Sequence, residues 1–150
     1  MSTPADDLVR VGWSELVDLP DWSVYDLPVK IDTGARSSSL HVEQLQMVPG
    51  NRVRFVVRCA RSGTLSTVEA PVVRVARVAS SNGTRSKRVF VQTRLLMGPH
   101  CREVEVNLVD RGDMNYPMLI GRSALAGCYI VDPAKRRLTR RLKKSRKKQP

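Results

Sequence analysis

The chain has no apolar run long enough to cross a membrane, which argues against a membrane-spanning helix. Its opening residues, Met1 to Asp7, carry no basic segment followed by an apolar one, so no secretory signal is read and a cytoplasmic protein is expected. There are only three cysteines, Cys59, Cys101 and Cys128, odd in number and widely spaced. That pattern argues against a disulfide framework and for reduced thiols. CxxC, HExxH, GxSxG and Walker-type strings are missing, as is any internal repeat. The 150 residues fit one domain with a real core.

Positive charge is present in excess, and it is unevenly placed. Residues 1–29 hold one base and six acids, net −5; residues 30–102 hold thirteen bases and three acids, net +10. Residues 103–134 hold two bases and five acids, net −3; residues 135–150 hold ten bases and no acid, net +10. Such a field favours a polyanionic partner: nucleic acid, a ribosomal surface or an acidic peptide. For any single arginine, a solvated exterior is the simpler reading.

Apolar residues recur with period two at Val53, Phe55 and Val57, alternating with Arg52, Arg54, Val56 and Arg58, and at Val104, Val106 and Leu108, alternating with Glu103, Glu105 and Asn107. Both runs predict strands with one wet face. Val72 to Val78 and Val89 to Val91 are further strand candidates, and Ser62-Gly63, Ser81-Asn82-Gly83 and Gly98-Pro99 mark turns. The expected fold is all-β, a small closed barrel with one short helix. Residues 1–8 read as a flexible N-terminus, 9–133 as the domain, and 134–150 as a disordered basic tail. That tail is expected to contact nucleic acid nonspecifically and to be dispensable for folding.

Chemistry concentrates in Asp32-Thr33-Gly34, delivered by the apolar-rich Val29-Lys30-Ile31. A carboxylate can activate water, a hydroxyl can bond across to a matching loop, and glycine admits close approach of another backbone. The bare triplet also describes a strand ending in an Asx turn. A second segment, Leu119-Ile120-Gly121-Arg122, is an apolar run meeting glycine before the short helical stretch Ser123 to Ala126. Only one Asp-Thr-Gly exists, whereas acid–base cleavage by carboxylates needs two that share a proton. A chain with one motif must therefore dimerise about a two-fold axis.

Together these strings resemble the retropepsins, in which an apolar-apolar-Gly strand crosses behind the catalytic loop. Val11-Gly12-Trp13, Lys30 to His41, Asp110 to Met114, Leu119 to Arg122 and Tyr129 to Pro133 narrow the resemblance to the RimB-like family, also named ATP-dependent zinc proteases. It spans about residues 9–133 and is loose in the middle. The resemblance implies a retropepsin-like homodimeric aspartic peptidase with catalytic Asp32, Thr33 and Gly34, and Leu119, Ile120, Gly121 and Arg122 as structural support. Ala35 and Arg36 would line the substrate site, with Gly63 from a flap at Arg61 to Thr64; Ser80 to Thr84 is the alternative flap. A hairpin is expected to be inserted between Asp32 and Gly121. RimB-like proteins are often encoded beside RimK-type glutamate ligases, which points to such a ligase or a ribosomal protein as partner. The substrate would be an acidic peptide or a glutamate-extended protein tail.

Both Arg36 and Arg122 are basic, so they cannot pair with each other. Arg122 is expected to meet Asp113 or Asp132, or substrate; Arg36 to hold a substrate carboxylate or a structural ion pair. His41 is expected to be a hydrogen-bonded structural residue. Candidate zinc ligands are His41, His100, Cys59, Cys101 and Cys128, but their spacing predicts no metal site, and no cofactor is expected. Two other classes stay open: a noncatalytic basic adaptor for a ribosome or ligase, and a zinc-dependent protease.

Overall fold

The computed structural model describes residues 7–59, 63–79, 83–110 and 115–140. Twelve strands follow one another in these segments: β1 (Val9–Val11), β2 (Ser14–Leu19), β3 (Val24–Ile31), β4 (Ser38–His41), β5 (Glu43–Val48), β6 (Arg52–Arg58), β7 (Leu65–Pro71), β8 (Arg74–Ala79), β9 (Arg85–Met97), β10 (His100–Val109), β11 (Met118–Ile120) and β12 (Tyr129–Val131). A 3-10 turn, Pro20–Trp22, separates β2 from β3, and a single helical turn, α1 (Arg122–Leu125), follows β11.

Six strands close a barrel in the order β10-β4-β11-β3-β2-β9, with β9 returning to β10. The pairings β10–β4 and β11–β3 are parallel and the others antiparallel. Its inward residues, among them Leu27, Val29, Leu40, Val91, Val106, Met118 and Ile120, are buried and form one continuous core. A second, three-stranded sheet, β5-β6-β7, lies in sequence between Asp32 and Gly121, where an inserted hairpin is expected. Period two on β6 turns Val53, Phe55 and Val57 inward and leaves Arg54 and Arg58 exposed. Phe55 meets Trp22 edge to face at 5.2 Å, which fastens the second sheet to the barrel.

Two sequence expectations change. Asn107 does not continue the wet face of Glu103 and Glu105; it is fully buried. The expected tail also starts too early. Residues 135–140 pack on β2, where Glu15 is completely buried. The Glu15 carboxylate accepts four bonds: from the amides of Gly12 (2.7 Å), Leu138 (3.0 Å) and Thr139 (3.2 Å), and from the Thr139 hydroxyl (2.7 Å). Trp13 N donates to Lys135 O and Arg137 N to Ser14 O, each at 2.8 Å. Arg140, also buried, pairs with Asp26 at 3.1 Å and Asp18 at 3.7 Å. Gly12 is needed here, because a Cβ would strike the backbone of Lys135 and Arg136. Residues 1–6 of the expected flexible N-terminus and 141–150 of the tail lie outside the described residues.

Candidate active site

The site is built where β3 ends. Ile31 is in register with Ile120 of β11, and its amide donates to Trp13 O at 2.8 Å. Asp32 N donates to Ile120 O at 2.8 Å, so the apolar strand holds the carboxylate's own backbone. The chain then turns: Gly34 N donates to Asp32 Oδ1 at 3.0 Å and Ala35 N to Asp32 O at 3.2 Å. The Asx turn and the loop expected to be catalytic are thus the same segment. Oδ2 of Asp32 makes no hydrogen bond among the described residues, and the residue is half-buried. Thr33, Gly34 and Arg36 are exposed and Ala35 is half-buried.

Leu119, Ile120, Gly121 and Arg122 support this loop from behind. Ser38 Oγ accepts from Gly121 N at 3.0 Å. A Cβ on Gly121 would lie 2.5 Å from Ser37 O, so only glycine lets the two backbones pass. Arg122 N donates to Ala35 O and Ser123 N to Arg36 O, at 2.8 and 3.0 Å. The Arg122 guanidinium donates to Thr33 O at 3.0 Å. It therefore reaches a backbone carbonyl of the loop; of the two expected carboxylates, Asp132 pairs with Arg10 and Asp113 lies outside the described residues. Arg36 makes no side-chain hydrogen bond or ion pair among the described residues, so the structural ion pair expected as its alternative role is not formed there.

Sequence reasoning missed a buried polar relay beside the loop. Asn107 Nδ2 donates to Ser38 O, while its Oδ1 accepts from Ser39 Oγ and the Arg88 guanidinium, all at 2.9 Å. The only trace in sequence is one amide side chain in an acidic alternation.

Gly63 is not brought to Asp32. Its turn is closed by Cys59 N to Thr64 O and is anchored by the Cys59 thiol on Tyr25 O at 3.2 Å. Ser66 likewise bonds Ser23 O. Tyr25 is the second residue of β3 and Asp32 follows its end, seven residues on and so about 23 Å away along an extended strand. A cavity of about 420 Å³ lies at that same far end, lined by Tyr25, Asp26, Cys59, Thr64 and Ser66. The alternative flap segment joins β8 to β9. The β8–β9 ribbon continues past the last β9–β10 pair, Asn107 with Phe90, and its Arg88 joins the relay to Ser38. Of its turn, Gly83 and Thr84 are described and residues 80–82 are not.

His41 is held by its backbone amide on Pro117 O at 2.7 Å, but its buried ring Nδ1 has no hydrogen-bond partner among the described residues, contrary to expectation. His100 stacks on Tyr129 at 5.4 Å, Cys101 is exposed and Cys59 is buried. Among the described residues no three His, Cys, Asp or Glu side chains converge as a metal would require.

The model of the family described as retropepsin-like aspartic endopeptidase RimB matches residues 10–142. The chain belongs to the RimB-like family. A solved structure of a Legionella pneumophila protein of unknown function superposes with TM-score 0.73 at 30% identity, over 87% of this chain and 98% of that one. Curated relatives named probable alpha-L-glutamate ligase come from Shewanella halifaxensis, 28% identical over 87% of this chain, and Parasynechococcus marenigrum, 30% identical over 83%. This RimB-like chain spans 30% and 28% of the length of those two relatives.

Proposed function

We propose that two copies of the chain join to form an aspartic peptidase that hydrolyses peptide bonds in an acidic, glutamate-extended polypeptide. The observation that carries this reading is the Asp32 loop. It is clamped by backbone bonds and by Arg122, with one carboxylate oxygen engaged by Gly34 and the other free. Rigid backing with a half-open carboxylate suits a group that must meet its own copy. The exposed Thr33 hydroxyl is available to bond across the axis.

In the dyad one Asp32 is ionised and the other protonated, because two adjacent anions are costly. The anion takes a proton from water as the water oxygen attacks the scissile carbonyl carbon. The protonated partner gives its proton to the carbonyl oxygen. The resulting diol collapses, the C–N bond breaks, and the amine leaves with a proton from the dyad. Arg36, unpaired beside the loop, is suited to hold a substrate carboxylate by a bidentate contact. That the relatives are named probable alpha-L-glutamate ligase supports glutamate as the substrate's chemistry.

The same relatives favour a second reading, a noncatalytic module serving a ligase, since this chain spans under a third of their length. Asp32→Asn separates the two. Cleavage of glutamate-rich peptides should fall at least about a thousandfold while the unfolding temperature holds. Cleavage that survives a chelator and is lost in the variant supports the aspartic enzyme. A wild-type rate in the variant removes Asp32 from the chemistry, and no cleavage by the native chain favours the module.

A further inference from the structure

Most basic side chains of the second sheet and barrel wall are neutralised in place. Arg52 and Arg54 share Glu69, Arg58 holds Glu43, Arg74 holds Glu105 and Arg94 holds Asp21. Hydrogen bonds from these arginines hold Asp21, Glu43 and Glu69 below the usual carboxylate range.

The β8–β9 ribbon breaks that pattern. Arg77 lies directly opposite Lys87, and Arg85 follows two residues before Lys87, so period two puts all three on one face. All three are exposed, and none forms an ion pair or side-chain hydrogen bond among the described residues. Like charges placed directly opposite across a ladder oppose pairing, so this face carries an electrostatic cost with no compensation inside the chain. Val75 and Val89 continue the same face, with Val75 46% exposed. The opposite face carries Arg88, which is bonded to the relay beside the Asp32 loop.

We propose that the outer face of the β8–β9 ribbon is an exosite for an extended acidic polypeptide, which it holds while a distal segment enters the Asp32 site. The inference rests on the peptidase reading and adds to it a second, separate contact with the substrate. Three features favour a polypeptide over nucleic acid. An extended glutamate chain presents carboxylates on one face every ~6.8 Å, the same repeat as the ribbon's cations. β8 is the open edge of its sheet, where a polypeptide can add main-chain hydrogen bonds and a nucleic acid cannot. The face carries valines rather than the aromatic side chains on which bases stack.

The test uses the full chain with Asp32→Asn, so that binding is read without cleavage. Fluorescence anisotropy of labelled poly-L-glutamate at low salt should show about tenfold weaker binding, with a flatter salt dependence, when Arg77→Gln and Lys87→Gln are added. The control pair Arg52→Gln and Arg54→Gln removes equal charge from the second sheet and should change binding less than about twofold. Unchanged binding in the ribbon variant overturns the exosite, as does an equal loss in the control. Tighter binding of a single-stranded oligonucleotide of matched charge, lost in the same variant, assigns the face to nucleic acid instead. In the active enzyme the ribbon variant should raise KM for long glutamate chains and leave kcat unchanged. Failure of the peptidase reading would appear as absent cleavage with the anisotropy result intact.

Discussion

Gly121 shows how one missing side chain positions the candidate active site. Its amide meets Ser38 Oγ, and the space for a Cβ is filled by the Ser37 carbonyl. Gly121→Ala is expected to cost about 2–3 kcal/mol in urea unfolding, since backbone cannot yield as a flexible side chain does. Activity should fall with it, because Ile120 O holds Asp32 N. Near-native stability would show that the loop can shift freely. Tyr129 gives a pH dependence. Burial lifts its phenol well above the ordinary value, with Cys128 nearby adding to the effect, so the folded chain favours the neutral form. Its contribution is complete below about pH 10, the unfolded value, and is lost as pH rises beyond it. Tyr129→Phe removes the 2.7 Å bond to Met97 O, at about 1 kcal/mol near neutral pH. The variant should then lose less stability than the native chain between pH 9 and 11, roughly the window in which an unfolded tyrosine ionises. Parallel pH curves for the two would remove Tyr129 from alkaline unfolding.

At the scale of elements, residues 135–140 are the part most changed by folding. Read as sequence they are basic, with almost nothing to bury. In the fold, their amides and one hydroxyl satisfy the buried Glu15 carboxylate, and Arg140 meets two aspartates. Ending the chain after Pro133 would leave Glu15 buried with one donor, Gly12 N. That truncation should lower stability by about 3 kcal/mol or more, as an uncompensated buried charge does. The comparison is a chain ending at Arg140, which keeps every one of these contacts. Equal unfolding temperatures for the two chains, read by scanning fluorimetry, would restore the reading of a dispensable tail. The effect should extend to the site, because Lys135 holds Trp13, and Trp13 O accepts from the residue before Asp32.

For the whole molecule, the proposal requires two copies. Sedimentation velocity at micromolar concentration is expected to give about twice the chain mass of 16.8 kDa. The Asp32→Asn variant should behave alike, since the substitution keeps the loop's shape. Full activity at dilutions where only monomer sediments would refute the shared dyad.

The sequence by itself determined the alternating strands, the closed β class, the short helix after Gly121 and the position of the Asp32 loop. Each follows from local chemistry: period-two burial, a carboxylate that turns its own chain, and a glycine between apolar residues and a helix. Tertiary structure alone decided which polar residues are buried. Asn107 and Glu15 look like surface residues until Ser38, 69 positions away, and Thr139, 124 positions away, supply their hydrogen bonds. It also decided that Arg122 clamps a carbonyl and that Gly63 stands apart from Asp32. A buried polar group is stable only beside its partner, and no local pattern in this chain specifies partners so distant.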